Sequence, residues 1–118
     1  VLYVWFNLGK IKHTTPKFLQ IRSPMSYCRT TIVEFNSEKL ADEASADYSK
    51  NTPSEFPDAE ILLFSRTGPT SAVVISVYPD KDISMQASVA RKARMDKAAH
   101  RRKSADMYQG EVILKVVR

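Results

Sequence analysis

The stretch AEILLFSRTGPTSAVVISVY, residues 59–78, constrains the fold of this chain more than any other. Two runs rich in branched and aromatic residues flank Gly68-Pro69, and that punctuation predicts a β-hairpin whose loop is TGPT. Along the first strand Leu62 and Phe64 oppose Ile61 and Leu63; along the second, Val74 opposes Val73, Ile75 and Val77. Both faces are therefore apolar, whereas an antiparallel sheet with one wet side alternates apolar and polar residues. Each face of the sheet needs a cover.

The rest of the chain supplies one of them. CRTTIVEF, residues 28–35, reads as a strand. It leads into NSEKLADEASADYSKN, where Asn36 or Ser37 caps a helix, Leu40, Ala44 and Tyr48 share a face, and NTP ends it. After the hairpin, residues 79–108 have the Ala, Met, Lys and Arg content of a helical region with Asp82 as its cap, closed by Gly110 before EVILKVV as the last strand. In that last strand Val112, Leu114 and Val116 oppose Ile113 and Val117. The order is βαββαβ. Its commonest solution is an α+β, ferredoxin-like fold: a four-stranded antiparallel sheet with the third strand inserted between the first two, the fourth beside the first, and both helices on one face. The face away from the helices is then best covered by a second copy of itself, which predicts a homodimer joined sheet to sheet.

Composition bounds the rest. With 118 residues, 43% hydrophobic and 26% charged, the chain has the make-up of a single globular domain. The lone Cys28 offers neither an internal disulfide nor a zinc ligand set, and it has no obvious activating neighbour. No apolar run approaches the ~20 residues of a membrane span, so a cytoplasmic protein is expected. The domain is expected over residues 25–118. Residues 1–24 form an N-terminal extension, read either as an added strand that extends the sheet or crosses to a partner, or as an artefact of the start position. Its apolar stretch precedes its lysines, the reverse of a secretory signal.

Net charge is +5, unevenly spread: +4 over residues 1–24, −5 over 25–83 and +6 over 84–118. The run from Arg91 to Lys103 holds eight basic or potentially basic residues in thirteen positions. At 100° per residue, Met85, Val89, Ala93 and Met107 form one stripe while Arg91, Arg94, Ala98, Arg101 and Arg102 point away. The run thus reads mainly as a solvated face, or one that pairs with the acidic middle of the chain. The functional alternative is a non-enzymatic interaction module whose basic helix, residues 84–108, meets an acidic partner or nucleic acid. Nucleic acid lacks support, since no RNP-type motif, zinc spacing or phosphate loop accompanies the charge. Within the same region Asp96 and His100 stand four residues apart near the Met85/Val89 stripe. An Asp/His pair so placed can fix an imidazole tautomer for acid–base work, which makes both candidate catalytic residues.

The element order and the two-sided apolar sheet of residues 25–118 are similar to the dimeric α+β barrel superfamily, which includes antibiotic-biosynthesis-type monooxygenases and stress-responsive barrel proteins. The resemblance implies a cavity between helices and sheet, and a dry pocket for an apolar or aromatic small molecule, worked on without a cofactor. Tyr48, Phe64, Tyr78, Met95 and His100 are the candidate lining. The haem-degrading branch uses an Asn after the first strand, a Trp and a His on the second helical segment. Asn36 and His100 fit that pattern, but the one tryptophan, Trp5, lies outside the unit, which argues against haem. A barrel of the stress-responsive kind without a ligand is the third reading.

Overall fold

The structure, a computed structural model, describes residues 2–6, 17–21 and 25–118. Strand β1 (Leu2–Phe6) pairs antiparallel with β2 (Lys17–Ile21) in a two-stranded ladder of its own. The expected strand at LYVWFNL is thus present as far as Phe6, joined to β2 and not to the main sheet; the rest of the extension, apart from β2, lies outside the described residues.

The main sheet contains β3 (Tyr27–Phe35), β4 (Ile61–Gly68), β5 (Ser71–Tyr78) and β6 (Arg102–Glu111), in the order β4-β5-β3-β6, with every pair antiparallel. With α1 (Glu38–Glu55), α2 (Lys81–Gln86) and α3 (Ser88–Lys97), this is the ferredoxin-like βαββαβ arrangement. Register sets the faces. On the helix side, rows run Leu62–Ser76–Arg29–Gln109, Phe64–Val74–Thr31–Met107 and Arg66–Ala72–Val33–Ala105. On the outer side they run Ile61–Val77–Cys28–Gly110, Leu63–Ile75–Thr30–Tyr108 and Ser65–Val73–Ile32–Asp106. Val33, Phe35, Ala41 and Ala72 form the buried core between α1 and the sheet, joined by Ala44, Phe64, Val74 and Ala105. Burying a side chain the size of Phe35 or Val33 contributes roughly 1.5–3 kcal/mol each.

Local chemistry explains most element ends. Ser37 caps α1 by accepting from the Leu40 N–H at 3.1 Å, and Asp80, not the expected Asp82, caps α2 by accepting from the Ile83 N–H at 2.8 Å. Helix α1 runs through NTP to Glu55, with Pro53 inside its last turn. Buried Phe56 anchors the end and its N–H reaches the Thr52 carbonyl, so tertiary packing overrides the proline signal. The hairpin loop is tighter than TGPT, with only Pro69 and Thr70 between the strands. An added Cβ at Gly68 would lie 2.8 Å from Ser71 Oγ, so that hydroxyl would have to shift.

The larger correction concerns the basic region. There is no continuous helix over residues 84–108: α2 stops at Gln86, α3 at Lys97, a 3-10 turn spans Ala99–Arg101, and the last strand begins at Arg102. EVILKVV is not that strand. Beyond Glu111 the chain leaves regular structure, tied back by the Val112 N–H to the Ser26 carbonyl at 2.7 Å and by Lys115 Nζ to Ser26 and Glu60. The strand RKSADMYQGE carries weak β signals because it is an edge strand. Of its helix-side residues only Ala105 and Met107 are apolar, so its sequence has little apolar alternation to detect.

Helix α3 is also turned about relative to the expectation. Val89 is 79% exposed and Met85 half-exposed, while Arg91, Arg94, Met95 and Ala98 face the sheet. The acids of α1 explain the inversion. Arg94 is bound by Asp47 at 3.1 Å and by Glu55 at 2.6 Å, and Arg101 by Asp47 at 2.9 Å. These arginine side chains are only 16% and 21% exposed. Two of the eight basic positions, Arg94 and Arg101, thus form an ion-pair seam with the acidic middle of the chain, while Lys92, Lys97, His100 and Lys103 stay exposed.

Candidate functional site

A half-open cavity of about 410 Å³ lies between the helices and the sheet. Its floor is the helix side of the sheet, where alternation points Val33, Phe35, Leu62, Phe64, Val74 and Met107 the same way. Helix α1 contributes Ala44 and Tyr48, while α3 contributes Arg91 and Met95. Tyr48 and Phe64 meet across the helix–sheet boundary with ring centroids 5.1 Å apart, tilted at 47°.

Four of the residues singled out from sequence, Tyr48, Phe64, Tyr78 and Met95, come together on this wall. His100 and Asp96 do not. Both are exposed, and Asp96 pairs with Lys92 at 2.7 Å. Because α3 ends at Lys97, the 3-10 turn carries His100 off the expected helical arc; its carbonyl accepts from Asn36 Nδ2 at 3.1 Å. That bond ties the end of β3 to the start of β6, so Asn36 acts as a clamp between elements while Ser37 is the helix cap.

Sequence reasoning missed the charged part of the wall. Arg29 rises from β3 between Ser76 and Gln109, and its Nε is buried without a hydrogen-bond partner. Burial first, and then the charge of Arg91, lower its pKa to about 10, with Tyr78 partly opposing; it remains a cation at neutral pH. Arg91 places its guanidinium carbon 5.7 Å from the Tyr78 ring centroid and donates from Nη2 to the Ser84 carbonyl at 3.2 Å. Opposite, burial and then Tyr78 push the Tyr48 hydroxyl up to about 12 against the effect of Arg94, so it stays protonated and can donate. One signal could have found Arg29: of the two charges in CRTTIVEF, Glu34 falls on the outer face, while Arg29 is in phase with Thr31, Val33 and Phe35 on the face the helices cover.

No protein-family model matches the chain, and no curated protein sequence does. Solved structures share its fold. A protein of unknown function from Nitrosomonas europaea is 16% identical, covering 80% of this chain and 95% of its own with a TM-score of 0.65. A dimeric ferredoxin-like protein from an uncultured marine organism is 9% identical over 80% and 93% of the two chains, TM-score 0.64. SnoaB, a cofactor-independent oxygenase from Streptomyces nogalater, is 13% identical over 80% and 99%, TM-score 0.56. At such identities the likeness establishes the fold: this chain has the ferredoxin-like fold, seen also in structures named for antibiotic biosynthesis monooxygenases.

Proposed function

We propose that residues 25–118 form a cytoplasmic homodimeric domain that binds an apolar or aromatic small molecule in the helix–sheet cavity, and that it oxygenates an electron-rich aromatic without a cofactor. The cavity carries this reading. Tyr48 and Phe64 offer ring faces, Met95 a polarizable wall, and the protonated Tyr48 hydroxyl a donor to orient a substrate oxygen. SnoaB, on the same fold, is a cofactor-independent oxygenase, and this supports the activity assigned.

Dimerisation follows from the outer sheet face. Ile61, Leu63, Val73, Ile75, Ile32 and Tyr108 share it, and Leu63, Ile32 and Tyr108 are about half-exposed or more. Ile113, Leu114, Val116 and Val117 are also largely exposed beyond β6. A second copy laid sheet to sheet covers this surface, and a solved neighbour of this fold is dimeric.

Two measurements test the reading. N-phenyl-1-naphthylamine should fluoresce on binding wild type, and Ala44→Trp, which fills the cavity from α1, should abolish the signal. Oxygen uptake with 1,4-dihydroxynaphthalene should exceed autoxidation in wild type and fall to background in the same variant. Undiminished dye binding in Ala44→Trp removes the cavity as the site. Uptake at the autoxidation rate removes the oxygenase assignment.

A further inference from the structure

Six cations line the proposed cavity: Arg29, Arg91, Lys92, Arg94, Arg101 and Arg102. Lys92 is paired with Asp96, and Arg94 and Arg101 are paired with Asp47, Arg94 also with Glu55. Arg102 has no acid among the described residues and donates to the Met95 carbonyl at 2.6 Å, at the far end of α3 from Arg91, whose own carbonyl partner is Ser84 at 3.2 Å. Arg29 and Arg91 make no ion pair among the described residues, yet both line the cavity. Arg29 comes up from the sheet and Arg91 comes down from α3 onto the same cavity wall, and the charge of Arg91 acts on Arg29. Two like charges held together in a partly desolvated cavity, one with a buried and unpartnered Nε, repel each other unless an anion is placed between them.

We propose that the cavity selects a carboxylate: a small apolar or aromatic acid whose body lies along Phe64, Val74 and Met107 and whose carboxylate is held between Arg29 and Arg91. This rests on the small-molecule reading above and names its ligand class. The two guanidinium forks can match the two oxygens of a planar carboxylate. A phosphate would bring a third anionic oxygen to a wall whose adjoining row is Phe64–Val74–Thr31–Met107, where only Thr31 can donate. Tyr78, whose ring lies under Arg91, keeps that side chain directed along the cavity instead of out to solvent.

Titration calorimetry of the full chain with 2-naphthoate and 2-naphthamide separates charge from shape, since the two differ little except in charge. Wild type should bind the naphthoate at least about tenfold more tightly, the scale of a charge-assisted hydrogen bond. Arg29→Gln and Arg91→Gln should each bring the ratio of the two affinities toward one, and raised salt should lower it in wild type. Either variant suffices if the other fails to fold, which circular dichroism shows. Equal binding of the two compounds by wild type overturns the carboxylate assignment and leaves the small-molecule reading standing; a preference that persists in both variants overturns the clamp. Binding of neither compound overturns both readings.

Discussion

Replacing Asp47 with Asn tests whether the inward turn of α3 is held by charge. The carboxylate accepts from Arg94 at 3.1 Å and from Arg101 at 2.9 Å, and it is itself only a quarter exposed. Arg94 retains Glu55 in the variant, bonded through both Nε and Nη2. Arg101 has no such second acid among the described residues, and its Nε is already buried without a partner. The loss is therefore close to one charge-assisted hydrogen bond plus the desolvation of a stranded guanidinium. Full burial would make that 3–5 kcal/mol and full exposure under 1 kcal/mol, so about 2 kcal/mol is expected. Urea unfolding at pH 7 and fixed protein concentration measures it, with unchanged slope. The acid dependence has a definite sign. Burial raises the Asp47 pKa, but hydrogen bonds from Asn51 and Arg101 and the charge of Arg94 outweigh it and hold the group at about 2, below the usual 3.8. Its stabilising contribution is full above pH 3.8 and lost as pH falls toward 2. The Asn variant should lack that part of the acid transition, and Arg101→Met in the Asp47→Asn background should cost less than it does in wild type. A loss below about 0.5 kcal/mol at pH 7, with additive double-variant energies, would show that the seam is surface decoration and that something else orients α3.

Leu63→Glu places a charge in the Leu63–Ile75–Thr30–Tyr108 row of the outer face and should convert a dimer to monomer in sedimentation at micromolar concentration; an unchanged sedimentation coefficient would move the interface elsewhere. Gly68→Ala brings a Cβ to 2.8 Å from Ser71 Oγ, so it should lower stability by about 1 kcal/mol, and Gly68→Ala with Ser71→Ala should recover it; equal urea midpoints for the two would refute the clash. Asn36→Ala removes the bond to the His100 carbonyl and should cost about 1 kcal/mol, whereas His100→Gln should alter neither stability nor naphthoate affinity, because the imidazole lies off the cavity wall. A His100→Gln variant with weakened naphthoate binding would bring the histidine back to the site.

The parts of this fold that could be read from sequence are those whose local chemistry and tertiary surroundings agree. The hairpin shows because Gly68-Pro69 and the branched and aromatic runs on either side of it agree, and the register keeps the Leu62/Phe64 and Ile61/Leu63 faces as read. The order β4-β5-β3-β6 then follows from connectivity rules. The aromatic wall shows for the same reason: Tyr48 and Phe64 lie on the faces that their periodicities assign. Where local and tertiary preferences conflict, the sequence misleads. Arg102 to Glu111 has helix-tolerant composition and forms a strand because β3 offers an open edge beside it. The apolar tail 112–117 looks like the better strand and leaves regular structure.

The inverted α3 shows where a helical wheel loses its meaning. A wheel ranks faces by transfer free energy on the assumption that charges prefer water, and it therefore put Met85 and Val89 inside. That assumption fails once another helix presents acids at the right height. Asp47 and Glu55 stand eight residues apart, about two turns, on α1, and Arg94 and Arg101, seven apart, meet them across the gap. Exposing Val89 forfeits roughly 1.5–3 kcal/mol at most, an amount that paired guanidinium–carboxylate bonds can offset. The inward turn also brings Arg91 to the cavity without an acid of its own, which a helix with its arginines outward could not do. The same inversion that hid Arg91 from sequence thus supplies part of the cavity's unneutralised charge. If the Asp47–Arg101 bond holds α3 in place, Asp47→Asn should weaken the preference for naphthoate over naphthamide although Asp47 pairs with neither Arg29 nor Arg91; an intact preference alongside the stability loss would separate the seam from the orientation of Arg91.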